Sequence, residues 1–147
     1  MLKSKKQIIK FLRTASTYAD LPVKIKFFTD KSDEAYGACT WTESDRDGYA
    51  IMCLEINTHS EIDIRETLLH ELGHFELDHF DSYTPEVKCE FDAQMWAANR
   101  AKELGWTRIA EGLIKRFAIW RSRVYWWNTP YRRYILAGRL AEKKKII

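Results

Sequence analysis

The hydrophobic and polar positions of this 147-residue chain fall into eight segments. Ile8, Ile9, Leu12, Ala15, Tyr18 and Ala19 recur at three- and four-residue spacing with lysines between them. That period predicts a helix over residues 3–19, ended by Asp20 and Pro22. Val23, Ile25 and Phe27 alternate with Lys24 and Lys26, the period of a half-buried strand. Residues 35–42 and 49–56 are rich in aromatic and strand-forming side chains, and the polar turn between them ends in Asp47-Gly48. They predict a hairpin, and hence a small sheet of about three strands.

From residue 60 onward the period becomes helical. Ser60 with Asp63 three residues later resembles a capping box, opening a helix to about residue 79. Thr84-Pro85 is an N-cap followed by proline at the first helical position, opening a helix to about Glu103 that stops near Gly105. Thr107 starts another, ending near Arg123, and Thr129-Pro130 starts a last one that runs into a lysine tail. Helix, sheet, then four helices is α+β in one domain over residues 1–147, with 107–147 a basic, aromatic helical extension.

The helix over 60–79 contains His70-Glu71-Leu72-Gly73-His74, an HExxH motif. Residues four apart share one helix face, so both imidazoles can reach one metal ion. Glu71, beside the first histidine, is placed to take a proton from a water activated by that ion. A catalytic zinc commonly has three protein ligands. The pattern HExxHxxGxxH fails here, because Glu76 and Phe80 stand where glycine and histidine are needed. On a continuous helix His79 points about 140° away from His74 and serves only if the helix breaks before it. Glu90 on the following helix, flanked by small residues that suit close helix packing, is the better third ligand. Asp92 is its reserve, or orients a metal-binding histidine from behind.

HELGH, followed by Glu90, Asp92, Ala93, Trp96 and Ala97 in the order E-x-(D/E)-A-x-x-(aromatic)-A, resembles the ImmA/IrrE family of metallopeptidase-like proteins. These occur in phages, mobile elements and bacterial stress regulators. The resemblance covers about residues 20–104. It implies a minimal zincin fold of helix, small sheet, active-site helix and glutamate helix. It further implies Zn2+ held by His70, His74 and Glu90, with Glu71 as catalytic base. The implied activity is cleavage of a specific protein, such as a transcriptional repressor. SprT-type proteases, which act on DNA-crosslinked proteins, are similar but use a third histidine, for which His79 is the candidate. An acid that stabilises the oxyanion is also expected; Tyr83 and His79 are near in sequence. In zincins the substrate commonly lies along an edge strand, here one strand of the 35–56 hairpin.

Composition narrows the rest. Hydrophobic residues are 46% and charged residues 31%, which suits a folded globular chain. No apolar run is long enough to span a membrane. Lys10 and Arg13 interrupt any signal-peptide core, so no secretory signal is expected. Cys39, Cys53 and Cys89 are odd in number and far apart, which fits a reducing cytoplasm. Cys39 and Cys53 are expected in the core, and Cys89 beside the metal ligand Glu90. Net charge is +3, yet residues 1–100 carry 12 basic and 18 acidic side chains and residues 101–147 carry 12 and 3. Arg121, Arg123, Arg132 and Arg133, interleaved with aromatics, could meet nucleic acid or an acidic protein. The plainer expectation is an aromatic seam between the last helices with the arginines in solvent. Beside the protease reading stands a non-catalytic zinc-containing module that binds a regulator or nucleic acid.

Overall fold

The computed structural model describes residues 2–18, 20–31, 37–59, 63–79, 85–122 and 131–147. Helix α1 spans Lys5–Ala15, strands β1, β2 and β3 span Val23–Phe28, Ala38–Ser44 and Ala50–Asn57, and α2 spans Ile64–Glu76. Helices α3, α4 and α5 follow at Glu86–Glu103, Thr107–Arg121 and Arg132–Lys143. The α+β order is the expected one. Among the described residues no helix is long and apolar enough to cross a membrane.

Boundaries differ where local chemistry decides them. Helix α1 begins after Ser4, whose Oγ accepts from the Gln7 amide while the Gln7 side chain accepts from the Ser4 amide. Helix α2 begins after Asp63, whose carboxylate accepts from the Arg65 amide; Ser60 lies outside the described residues. It stops at Glu76, short of residue 79, because Asp78 takes a left-handed conformation (φ 53°). Thr84, Thr129 and Pro130 also lie outside the described residues.

The sheet runs β1-β3-β2, with β1 parallel and β2 antiparallel to the central β3. β3 is buried along most of its length, as a central strand should be, and β2 is an edge. Alternation on β2 turns Ala38 and Thr40 inward and Cys39 outward. Cys53 and Cys89 are buried, but Cys39 is exposed and does not belong to the core. The phase follows from the pairing of Cys39 with Glu55, while Thr40 pairs with buried Leu54 and donates to the Cys53 carbonyl.

Ile8, Leu12, Leu54, Leu68, Leu69, Leu72 and Leu113 lie in one core that joins α1, the sheet and α2–α4. A second cluster of Phe91, Phe117, Ala137 and Ala141 seats α5 on α3 and α4. Two helix crossings are too close for side chains. A Cβ on Gly73 would lie 2.6 Å from the Ala93 carbonyl oxygen, and one on Gly138 2.5 Å from that of Phe117. These contacts set how near α3 comes to α2 and α5 to α4.

Gly73→Ala tests the first crossing. Helix propensity alone favours alanine by about 1 kcal/mol. Overpacking against a backbone that cannot yield costs about 1–3 kcal/mol or more. We expect a net loss of about 1–2 kcal/mol, seen as a fall in Tm of about 3–6 °C by calorimetry. An unchanged or higher Tm would refute the tight crossing.

Candidate metal centre

Helices α2 and α3 bring His70, His74 and Glu90 together, a group able to hold a metal ion. His74 Nε2 lies 2.6 Å and His70 Nε2 3.3 Å from Glu90 Oε1. The two imidazole Nε2 atoms are 3.0 Å apart. Three ligand atoms thus face one point from two adjacent helices. The helical period supplies the first pair, and the Gly73–Ala93 crossing supplies the third member.

The other ring nitrogens are also engaged. His70 Nδ1 lies 2.7 Å from Gln94 Oε1, and Gln94 Nε2 donates to the Leu113 carbonyl at 2.8 Å. The carbonyl can only accept, so the Gln94 amide is oriented with its oxygen toward His70. His70 Nδ1 then carries a proton, and Nε2 is the nitrogen turned toward the cluster. Gln94 is 2% exposed, so water does not substitute for it. The sequence reading missed Gln94, although it stands one turn after Glu90 and so on the same face.

His79 enters as a neighbour of His74. After the left-handed Asp78 the chain folds back, the His79 amide donates to the His74 carbonyl at 3.1 Å, and the two Nδ1 atoms lie 2.9 Å apart. The helix breaks, so the 140° projection does not apply. His79 supports a cluster histidine rather than joining the cluster. Asp92 is instead paired with Lys88 Nζ at 2.5 Å, and the position behind His70 belongs to Gln94. Tyr83 lies outside the described residues.

The basic extension divides. Arg133 Nε donates to Glu90 Oε2 at 3.0 Å, so this arginine reaches the cluster while its side chain stays 40% exposed. Arg121 pairs with Glu142 at 3.4 Å, Arg132 is exposed, and Arg123 lies outside the described residues. The aromatic seam is present where the chain is described. Phe117 packs on Phe91 and Trp120, and Trp120 packs on Tyr134 at 4.9 Å between ring centroids. Trp120 and Tyr134 also flank His70, at 5.8 and 6.3 Å. The Tyr134 hydroxyl accepts from Arg133 Nη2 at 3.4 Å.

Burial and charge set the proton affinities. Burial pushes the Glu71 carboxyl up to about 8 against the pull of His70. Burial also works to raise Glu90, but bonds from His70 and His74 outweigh it and hold Glu90 well below the usual carboxylate range. Burial lowers His74, whereas at His70 the same burial is overcome by Glu90 and the net direction is up. Burial raises the Tyr134 phenol, with Glu90 and Glu71 adding to it. Two carboxylates, two imidazoles, a phenol and a guanidinium thus act on one another's proton affinities.

Gln94→Leu removes the acceptor behind His70 at nearly constant volume. Loss of such a partner typically weakens metal binding about 10–100-fold. We expect that drop for a divalent ion in competition with a chromophoric chelator; wild-type affinity would show that Gln94 does not orient His70. No family model matches the chain, and neither a curated protein nor a solved structure does.

Proposed function

We propose that the protein is a zinc-dependent endopeptidase of the minimal zincin type, similar to the ImmA/IrrE family, whose substrate is a specific protein such as a transcriptional regulator. The observation that carries this reading is the convergence of His70 Nε2, His74 Nε2 and Glu90 Oε1 with Glu71 buried beside them. Two neutral imidazoles and one carboxylate are a donor set that suits zinc, and the fixed proton on His70 Nδ1 leaves the correct nitrogen free to bind. When bound, zinc supplies the Lewis acidity that makes a water acidic near neutral pH and polarises a carbonyl.

The chain's own groups do the rest. Glu71 takes the proton of the attacking water and passes it to the departing amide nitrogen. Glu71 is buried beside the cluster, where a bound dication would lower its proton affinity and leave it able to accept a proton. The Tyr134 hydroxyl accepts from Arg133 and keeps its own proton to donate to the developing oxyanion, the role the sequence assigned to Tyr83 or His79. Trp120 and Tyr134 keep water from the flank of His70. The edge strand β2 packs beside α2 and can pair with an extended peptide.

Elemental analysis of the wild type should give about one zinc per chain, lost in His70→Ala. Glu71→Gln should keep the zinc but cut cleavage of a proteome-derived peptide library by about 10²–10⁴-fold, followed by mass spectrometry. A wild-type chain that holds zinc yet cleaves no more than Glu71→Gln would turn the reading to a non-catalytic zinc module. A chain that takes up no zinc would end it.

A further inference from the structure

We propose that Arg133 is a positioning residue for Glu90: it reserves one carboxylate oxygen, so that only the other is offered to the metal ion. This inference rests on the metalloprotease reading above.

Glu90 divides its two oxygens. Oε1 faces the histidine pair at 2.6 and 3.3 Å, and Oε2 accepts from Arg133 Nε at 3.0 Å. Glu90 is 3% exposed, so water cannot replace either partner. A carboxylate left free to rotate can offer a metal both oxygens. With two histidines, two-oxygen binding fills the fourth position that a catalytic zinc must keep open. A charge-assisted bond to an arginine is roughly twice as strong as a neutral one, and it holds Oε2 away from that position.

The fold delivers Arg133 for this task. Gly138 lets α5 lie against the α4 backbone, where a Cβ would meet the Phe117 carbonyl oxygen and the Arg121 amide at 2.5 and 2.7 Å. Tyr134 then packs against Trp120 and His70, and the preceding side chain reaches Glu90. The guanidinium is spread over two partners, Nε on Glu90 and Nη2 on the Tyr134 hydroxyl. A rigid fork suits that geometry, whereas a lysine makes one contact at a time. The Nε and Nη2 edge of the fork is thereby turned toward Glu90 and Tyr134.

A purely structural Arg133 would neutralise a buried carboxylate and nothing more. Cobalt(II) loaded into the full chain separates the two roles, because its visible absorption is strong with four ligand atoms and weaker with five. Wild type should give the strong bands. Arg133→Met should load one cobalt per chain with weakened bands, and Arg133→Lys should recover much of the lost intensity, since Nζ can still donate to Oε2. Arg133→Met with a lower Tm and an unchanged cobalt spectrum would overturn the positioning role. Should Arg133→Met fail to fold, the infrared difference between zinc-loaded and metal-free wild type, with 13C-labelled glutamate, decides the matter. One-oxygen binding gives widely split carboxylate stretches; a narrow splitting overturns the proposal without any substitution. Wild type that takes up neither cobalt nor zinc would overturn the metal reading, and this inference with it.

Discussion

The approach of α2 to α3 at Gly73 and Ala93 is the constraint on which the site depends. No side chain fits between those backbones, so the helices meet at a distance that only glycine permits. His70 and His74 flank Gly73 on one helix, and Glu90 and Gln94 flank Ala93 on the other. One turn of α3 separates Glu90 from Gln94, and together they bracket the ring of His70, one at each nitrogen. A helix displaced by one methyl group would lengthen both contacts at once. The glycine inside the HELGH sequence is thus not filler between ligands. It holds the spacing of the second helix, which carries the third.

Electrostatics explains why so much of the surrounding chain is committed to these few atoms. Burying a carboxylate without compensation costs several kcal/mol. Glu90 is compensated on both oxygens by His70, His74 and Arg133. Glu71 is compensated less, and burial keeps it protonated at neutral pH when protein groups alone surround it. A dication among His70, His74 and Glu90 would lower Glu71 by direct attraction and return it to the basic form.

Legibility followed the range of each interaction. The spacing of His70 and His74 is local, and sequence alone placed them on one helix face. Glu90 was found one helix on, because the small residues around it signalled a close crossing. Among the described residues the three strands and five helices follow from periodicity, strand-forming composition and the turn and cap residues between segments. What escaped reading depends on contacts between distant segments or on one backbone angle. Arg133 meets Glu90 across 43 residues, and no local pattern distinguishes it from Arg132 beside it. Gln94 was overlooked because glutamine within a helix ordinarily signals a solvated position. His79 was projected away from the site on a continuous helix, and the left-handed Asp78 returned it. Cys39 was placed in the core by its apolar neighbours, while the pairing of β2 with β3 turned it outward.

The basic extension changes meaning once its contacts are known. Read as composition, twelve basic and three acidic residues over 101–147 suggest a surface for anions. Read in place, Arg116, Arg121 and Arg133 face Glu66, Glu142 and Glu90. The first and third of those partners lie in the acidic first hundred residues, so part of the charge asymmetry is cancelled inside the fold. The aromatic residues act in the same direction. Phe117 is fully buried, and Trp120 of α4 and Tyr134 of α5 pack beside His70. An apolar wall beside a charged centre lowers the local dielectric and strengthens each remaining electrostatic contact. The extension thus adjoins the candidate site, with Arg133 of α5 on Glu90 and Tyr134 beside His70.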